Sequence, residues 1–412
     1  MDSLSGYRTE DFLSAPVLAR LQDACERASI DVVAASTQGA IRHLTGGWYS
    51  HNYQDFARGG DDQHSSWLVL DARDPLRRAY VTSGLELGEA RLAGHPIAEI
   101  VRDGAGFTPL GGPAALAAAI RELGGSGARI GLELPFVSAP TLEALRAELP
   151  DAHFADANPA LLHVRAVKTE HEVRLLAASA ELVEGALADA FAAAGEGVTD
   201  YELDAVMLAA IGARGGVPQQ RFTVPGLGPG RTRHGAGNAV GYRLAAGDVL
   251  LVDVGAKLCG MHGDLVRMGA VGAPHYPVAD ALAFGAAVNE QVARIMRPGQ
   301  SQRELLAESQ AIADRLGAGV SSWGVPTVLH HGLGWSLYEP PFDLSRSAAP
   351  DPAQSIDPYG VFEEGMTMSL ETAVASPDGT ELYANVEDPY VLRAGGAERL
   401  NTMSHALIEC KA

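Results

Sequence analysis

Two aspartates, eleven residues apart, begin the part of the chain whose residue types and spacing could do chemistry. In the segment GDVLLVDVGAKLCGMHGDLVRM, the apolar run VLLV ends at Asp253, and Asp264 follows on what we expect to be the returning strand of a hairpin. Two carboxylates at the paired ends of a hairpin can face one cation. Taken alone, each aspartate is more simply explained as a turn cap or a solvated loop acid.

Three further residues could complete a metal site. His331 lies in the glycine-rich stretch VLHHGLGWSLYEPP, where the backbone could approach a ligand closely. In GMTMSLETAVA, apolar residues at every second position predict a half-buried strand, which puts Glu371 on the opposite face at the strand's end. Glu387 occupies a similar place at the start of the apolar strand in ELYANVEDPYVL. Each glutamate by itself would be an ordinary strand-end acid.

Together these five residues supply four carboxylates and one imidazole from the predicted strand ends of one domain. Hard oxygen ligands with a single nitrogen suit Mn, Co, Fe or Zn. Two divalent ions bridged by carboxylates would lower the pKa of a shared water and polarise a carbonyl group, which is the chemistry of metal-assisted hydrolysis. The residue types therefore predict a hydrolase with two divalent metal ions.

The elements that must position these residues indicate an α/β (α+β) fold of two domains. From residue 17 to 155, helical patterns alternate with short apolar strands, as expected for an α/β domain. A long amphipathic helix then begins at a capping box formed by Thr169 and Glu172. We expect an N-terminal domain over residues 1–158 and a catalytic domain over residues 159–412, because a chain of this length exceeds one ordinary core.

Two helical stretches of the second domain resemble each other. EGVTDYELDAVMLAAIGARGG and PGQSQRELLAESQAIADRLGAG each place a capping Thr199 or Ser301 three residues before a glutamate and end near glycine. An internal duplication, with a site between its halves, would explain this similarity. Chance similarity between alanine-rich helices would explain it equally well.

The composition argues against several classes of partner. A formal net charge of −20 disfavours nucleic acid and anionic membrane, since both reward clustered Lys and Arg. The three cysteines lie far apart without CxxC pairs, so they indicate neither a disulfide framework nor a thiolate zinc site. The N-terminus lacks a signal-peptide pattern, and no uncharged apolar run approaches the ~18 residues that span a bilayer. We expect a cytoplasmic enzyme.

The order Asp, Asp, His, Glu, Glu in the settings VDVG, HHGLG, GMTMSLE and NVED resembles the pita-bread metallopeptidases, which include prolidase, aminopeptidase P, methionine aminopeptidase and creatinase. VRAVKTEHEVRLLAASA is similar to the helix that joins a creatinase-like N-terminal domain to that family's catalytic domain. The resemblance implies a pita-bread catalytic domain and a homodimer. It also implies that Asp253 chelates the first metal. Asp264 and Glu387 would then bridge, and His331 and Glu371 would hold the second metal.

The sequence departs from the family's peptidases around the predicted metal site. Tyr338 stands where they place a second histidine, seven residues after the ligand histidine. Its phenol can donate one hydrogen bond to a developing oxyanion, although it could also be simply a packed aromatic. Peptidases also keep a histidine seventeen residues before Asp253, where this chain has Ala236, and a short insertion would let His234 serve instead. His234 and Tyr338 are therefore the candidate catalytic residues.

Two residues are candidates for substrate contacts. Arg58 lies in TGGWYSHNYQDFARGGDDQHSSW, which looks like the loop that reaches into the neighbouring subunit's active site in creatinase-like members. Its guanidinium could clamp a substrate carboxylate, although a solvated surface loop explains the segment nearly as well. His330, next to the predicted ligand histidine, could contact substrate or could only pack.

Three functions are compatible with these residues. A dipeptidase or aminopeptidase acting on bonds to proline follows from the family resemblance. The changes at Tyr338 and Ala236 favour instead a hydrolase or lyase of a small zwitterion, similar to creatinase, ectoine hydrolase or dimethylsulfoniopropionate lyase. A catalytically inactive binding module is disfavoured because all five ligand types are present. We expect the substrate to be a dipeptide or another small molecule.

Overall fold

The computed structural model of the chain describes residues 15–45, 66–82, 100–103, 112–125, 127–228, 241–324, 326–341 and 360–411. The chain divides into two units, Met1–Arg165 and Ala166–Ala412. Sheets and helices in both units confirm the predicted α/β (α+β) class. The boundary predicted after residue 158 lies at the start of the helix Asn158–Ala166, whereas the first unit ends at Arg165, near the end of that helix.

The first unit is built on a six-stranded mixed sheet. Its elements in chain order are α1 (Ala15–Arg27), β1 (Val32–Ala35), α2 (Gln38–Thr45), β2 (Trp67–Asp71), β3 (Arg78–Thr82), β4 (Ile100–Asp103), α3 (Gly112–Gly124), β5 (Arg129–Leu132), α4 (Ala139–Glu148), β6 (His153–Asp156) and α5 (Asn158–Ala166). The strand order is β4-β3-β2-β1-β5-β6. Val33 and Ala35 of β1 pack into one apolar cluster, and Val32 and Ala34 pack into another. The central strand is therefore buried on both faces, as its uniformly apolar sequence requires.

The second unit is built on a larger, mostly antiparallel sheet. Its elements are α6 (Glu170–Ala193), α7 (Asp200–Ala213), β7 (Val217–Leu227), β8 (Val249–Leu258), β9 (Met261–Val271), α8 (Val278–Ile295), α9 (Gln302–Gly317), β10 (Thr327–Gly332), β11 (Thr367–Ala375), β12 (Leu382–Arg393), β13 (Gly396–Arg399) and β14 (Ile408–Cys410). The order is β10-β11-β12-β9-β8-β7, with β13 paired to β12 and β14 paired to β9. Helix α6 packs on β8 and β9, and α8 packs on β11 and β12. These four strands carry all the predicted carboxylate ligands.

Three helices of the second unit begin at the caps that the sequence predicts. Thr169 and Glu172 form the capping box of α6. Helices α7 and α9 begin at Thr199 and Ser301 with the same reciprocal pair of hydrogen bonds to a glutamate three residues later. Helix α7 packs on α6 and edge strand β7, and α9 packs on α8 and edge strand β10. These equivalent places favour an internal duplication over chance similarity. Within the described residues, no helix combines the length and the apolar character needed to cross a membrane.

Candidate metal centre

The five predicted metal ligands lie inside strands of the second unit, not at strand ends as we expected from the sequence. Strands β8 and β11 continue for several residues beyond Asp253 and Glu371. A strand can carry a carboxylate in its middle, because the side chain points to one face while the backbone keeps its ladder hydrogen bonds. The alternation in β11 is as predicted: Met368 and Leu370 are buried in an apolar cluster, and Glu371 belongs to the other face.

Strand pairing brings the carboxylates to neighbouring positions. Glu371 on β11 lies directly opposite Glu387 on β12. Asp253 on β8 and Glu387 both lie opposite Val266 of the intervening strand β9. Asp264 precedes Val266 by two residues on the same strand. Glu371, Glu387 and Asp253 therefore lie in one row across the sheet, and Asp264 lies in the next row.

His331 lies against two of these carboxylates. The ligand atoms of Asp264, His331 and Glu387 are all within 4.8 Å of one another, and all three residues are buried. Nε2 of His331 is 3.3 Å from Oε1 of Glu387 and 3.7 Å from Oδ2 of Asp264. Its Nδ1 can donate to the carbonyl oxygen of Gly332 at 3.2 Å. With the proton on Nδ1, the Nε2 lone pair faces the carboxylates, which is the tautomer that a metal ligand requires.

Negative charge accumulates at this point of the molecule. Burial raises the pKa of Asp264 well above its ordinary value, and three neighbouring carboxylates raise it further. Those carboxylates are, in order of effect, Glu387, Asp253 and Glu371. Burial by itself would lower the pKa of His331, but its hydrogen bond to Glu387 and the nearby negative charges outweigh burial and raise it. A divalent cation would relieve the repulsion and replace the second imidazole proton, so these residues fit a divalent metal site.

Three uncharged donors orient the carboxylates. The bonds are Oγ of Ser369 to Oε1 of Glu387 at 2.7 Å, Nε2 of Gln220 to Oδ1 of Asp264 at 2.8 Å and Nδ2 of Asn385 to Oε1 of Glu371 at 2.8 Å. Because each donor is neutral, it fixes a carboxylate without cancelling the charge that attracts a cation. We did not identify these donors from the sequence. Ser369 and Asn385 lie two residues before Glu371 and Glu387, a spacing that could have signalled them, whereas Gln220 lies in a distant strand.

Comparison with known proteins decides the family. Residues 174–394, more than half of the chain, match the profile of metallopeptidase family M24. The chain belongs to this family. Residues 18–167 match the Creatinase/Prolidase N-terminal domain. The chain is therefore a metallopeptidase-like hydrolase with a creatinase-like N-terminal domain, as the resemblance implied.

Relatives of this M24 member carry dipeptidase names. The Bacillus subtilis protein YkvY is 27% identical over 76% of this chain and 80% of its own length. The Xaa-Pro dipeptidase of Pyrococcus furiosus is 23% identical over 60% of this chain and 66% of its own length. Among solved structures, an Xaa-Pro dipeptidase from Bacillus anthracis superposes with a TM-score of 0.73 at 18% identity, covering 95% of this chain and 99% of that one. At 18% identity, this structural similarity shows that the two proteins share a fold.

Behind Glu387, this M24 member has a buried ionic network. Arg267 pairs with Asp388 at 2.6 Å, and its guanidinium also donates to the carbonyl oxygen of Glu387 at 3.0 Å. Burial raises the pKa of Asp388, but the hydrogen bond from His405 and the charge of Arg267 together lower it below its ordinary value. Nδ2 of Asn401 donates to the same carboxylate at 2.7 Å. Arg267 therefore holds the Asp388 carboxylate in place.

Tyr338 stands at the rim of the M24 site. Its ring centroid is 4.6 Å from that of His331, and the residue is 55% exposed. The loop that carries it is anchored beneath: Glu339 forms a fully buried ion pair with Lys168, and Nε1 of Trp335 donates to Glu172 at 2.6 Å. These anchors hold the loop so that Tyr338 lies beside His331 with much of its side chain exposed.

The glycines after His331 allow close packing within the chain, whereas the sequence analysis predicted that they would let the backbone approach a ligand. A Cβ on Gly332 would lie 2.1 Å from the carbonyl oxygen of Glu339. A Cβ on Gly334 would lie 2.3 Å from Oε1 of Glu339 and 2.5 Å from Cε of Lys168. Both positions are glycine because the chain folds tightly back on itself here. The sequence pattern identified the close approach but not its partner.

His330 lies away from the other candidates. It precedes His331 on β10, so the two side chains point to opposite faces. Its ring meets that of Phe362 edge-on at 5.8 Å, and the residue is buried. The structure therefore does not bring His330 to the carboxylate cluster. His262 is also buried, with Nδ1 2.9 Å from the carbonyl oxygen of Gly334.

Two predicted site residues lie outside the described part of the chain. They are the catalytic candidate His234 and the substrate-binding candidate Arg58. Residues 342–359, between His331 and Glu371, also lie outside it. The roles of His234 and Arg58 in this M24 member therefore stay predictions.

Proposed function

We propose that this M24 member is a hydrolase that uses two divalent metal ions to cleave the amide bond of Xaa-Pro dipeptides. The observation that carries the proposal is the buried cluster of Asp264, His331 and Glu387, whose ligand atoms lie within 4.8 Å of one another. Repulsion from Asp253 and Glu371 on Asp264 extends this cluster to four carboxylates. Such a donor set has little use without cations, because burying uncompensated negative charge is costly.

The five residues divide between two metal positions. Asp253 would chelate one ion, and His331 and Glu371 would hold the other. Asp264 and Glu387 would bridge, as the family resemblance implies, and both carboxylates lie close to Nε2 of His331, at 3.7 and 3.3 Å. When bound, such ions would supply Lewis acidity toward the scissile carbonyl and would lower the pKa of a bound water.

Tyr338 would contribute the hydrogen-bond donor next to the metals. Its ring lies beside His331 and is more than half exposed, so a substrate carbonyl can reach the phenol. A phenolic O–H directed at the oxygen that gains negative charge stabilises the tetrahedral species more than the ground state. His234 is the second catalytic candidate that we propose for this site.

The Xaa-Pro specificity is supported by the relatives. The Pyrococcus furiosus protein is named Xaa-Pro dipeptidase, and its match includes 60% of this chain. A second candidate function is hydrolysis of a small zwitterionic amide on the same metals. Tyr338 favours it, because peptidases of the family place a histidine there and a phenol cannot become a cation near neutral pH.

The proposed function is tested by metal content and turnover together. The full chain is reconstituted with Mn²⁺ or Co²⁺, analysed by elemental mass spectrometry, and assayed with Xaa-Pro dipeptides beside small zwitterionic amides. Asp264→Asn is the site variant, and Asp280→Asn, an exposed aspartate in the first turn of α8, is the matched control. We expect about two ions per chain and Xaa-Pro cleavage in the wild type and the control, with both lost in Asp264→Asn.

The other outcomes separate the alternatives. Bound metal with turnover of the zwitterionic amides alone would replace the first function by the second. A chain that binds no metal after reconstitution would contradict both.

We further propose that the enzyme is a homodimer in which Arg58 clamps the carboxylate of the substrate in the neighbouring subunit. Arg58→Ala should raise KM for carboxylate-bearing substrates without loss of metal, because a guanidinium fork binds a carboxylate bidentately. Mixing Arg58→Ala chains with Asp264→Asn chains should then restore activity, since each mixed dimer holds one complete site. Absence of complementation between the two variants would contradict an action across the dimer.

A further inference from the structure

Gln220 reaches the metal centre across a neighbouring strand. It lies on β7 opposite Gly255 of β8, and Gly255 lies opposite Asp264 of β9. The three residues therefore form one row across three strands. At the end of that row, Nε2 of Gln220 donates to Oδ1 of Asp264 at 2.8 Å.

Gly255 leaves the space through which this carboxamide passes. A Cβ on Gly255 would lie 2.4 Å from Oε1, 2.6 Å from Cδ and 2.6 Å from Nε2 of Gln220, which are its three nearest atoms. Gly255 has no positive φ, so its backbone would accept alanine. Space for Gln220, rather than backbone conformation, is what requires glycine at this position.

The bond to Gln220 decides which oxygen Asp264 presents to the site. With Oδ1 held by the carboxamide, Oδ2 is the oxygen that faces Nε2 of His331, at 3.7 Å. The donor is neutral, so Asp264 keeps its full charge for a cation, which a Lys or Arg partner would reduce. Oε1 of Gln220 is buried and, within the described residues, accepts no hydrogen bond. Burying this acceptor without a hydrogen bond lowers the stability of the fold, so a gain in stability does not explain why glutamine occupies position 220.

We propose that Gln220 is a positioning residue of the metal centre, which locks Asp264 in the orientation that binds divalent cations, and that Gly255 is required for it to do so. The inference rests on the proposed two-metal function. It adds a residue that touches neither metal nor substrate and acts only through Asp264.

The test measures metal binding directly on the full chain. Metal-depleted protein is titrated with Mn²⁺ by calorimetry, and Gln220→Met removes the donor while keeping the length of the side chain. We expect its Mn²⁺ affinity to fall by about 10–100-fold. Gln219→Met, the same change one residue earlier in β7, is the matched control and should stay within about threefold of wild type. Co²⁺-loaded Gln220→Met should also show an altered visible absorption spectrum, because the geometry at Asp264 changes.

A double-mutant cycle tests the requirement for Gly255. Gly255→Ala in the wild-type background should weaken Mn²⁺ binding by about tenfold or more, since its Cβ displaces the carboxamide. In a Gln220→Ala background the obstructed side chain is gone, so Gly255→Ala should change affinity by less than about threefold. Equal effects in both backgrounds would mean that Gly255 acts independently of Gln220, and would overturn the proposal.

The remaining outcomes are distinguishable. If wild-type protein binds Mn²⁺ and Gln220→Met binds it equally well with an unchanged Co²⁺ spectrum, only the role of Gln220 is overturned. If wild-type protein binds neither Mn²⁺ nor Co²⁺, the two-metal function is overturned and the role of Gln220 with it.

Discussion

Replacement of Arg267 by methionine should be one of the most damaging single changes to the stability of the second unit. Arg267 and Asp388 are 2% and 0% exposed, and their ion pair measures 2.6 Å. The guanidinium also donates to the backbone carbonyl oxygens of Val266, Glu387 and Ser404. Methionine fills a similar volume, so the change removes the charge and the donors without opening a large cavity.

The stability lost in Arg267→Met follows from the Asp388 carboxylate, which stays buried without its arginine partner. Removing one partner of a buried ion pair costs about 3–5 kcal/mol, because the remaining charge is left without compensation. His405 and Asn401 continue to bind Asp388, which keeps the expected loss toward the lower figure. For a unit of this size, about 3 kcal/mol lowers Tm by roughly 6–12 °C.

The charge state of Asp388 sets the pH range of the effect. Its pKa is lower in the folded chain than in the unfolded chain, so its contribution to stability is present above the ordinary aspartate pKa of about 3.9. The contribution is lost as pH falls through the lower, folded value. The difference between wild type and variant should therefore be full at pH 7 and shrink in acid.

The assay is thermal unfolding in the presence of a chelator, because a change in metal affinity would by itself shift Tm. Arg297→Met is the matched control. Arg297 also makes a two-bond pair, with Glu308, but these side chains are 50% and 39% exposed. Exposed pairs are screened by solvent and contribute little to stability, so the control should lose no more than about 4 °C. Equal losses in the two variants would refute the argument that burial makes the Arg267 pair strong.

Three further predictions concern single side chains. Tyr338→Phe should lower kcat by about 10²–10³-fold with little change in KM, since it removes one donor to the developing oxyanion; a change confined to KM in steady-state kinetics would contradict this. Asn385→Ala should weaken Mn²⁺ binding by about 10–100-fold through Glu371, measured by calorimetry, and unchanged affinity would show that the 2.8 Å bond is dispensable. Burial raises the pKa of Cys25 to about 12, so at pH 8 only about one thiol in ten thousand is thiolate. Peptide mapping after limited alkylation should find Cys259, which is partly exposed, labelled before Cys25, and the reverse order would contradict the described burial.

The residues of the candidate metal site could be proposed from the sequence because several of them are marked by their own neighbours. Asp253 follows an apolar run, Glu371 lies on the polar face of an alternating one, and His331 lies among glycines. Local pattern could not show that the acids lie in mid-strand. Where a strand ends depends on its partner, and apolar runs on either side of a buried carboxylate look like two separate ends.

The residues that support the ligands could not be predicted from local pattern. Gln220 meets Asp264 only because β7, β8 and β9 pair in one register, and a bulge between Pro218 and Gln220 shifts that register. A one-residue slip would turn Gln220 to the other face. His405 is similarly unmarked, since it lies in an irregular segment and meets Asp388 through the fold alone.

The capping boxes of α6, α7 and α9 were predictable, whereas the place of each helix on the sheet was not. A capping box depends on residues three positions apart, so Thr169 and Glu172 determine the start of α6 locally. The strand order β10-β11-β12-β9-β8-β7 depends on contacts distant in sequence. Only the internal similarity of α7 and α9 hinted that the two edges of the sheet are equivalent.

Arg267 donates to the backbone oxygen of Ser404, which lies 137 positions later in the chain. Strand β14, which follows Ser404, pairs with the end of β9. During synthesis, the strand that carries Asp264 therefore leaves the ribosome long before its last partners exist. Contacts so distant in sequence slow folding and expose unpaired strand edges meanwhile. A frameshift or premature stop before residue 403 would accordingly release a nearly full-length chain with an open edge on β9, a product suited to aggregation and rapid proteolysis rather than to partial activity.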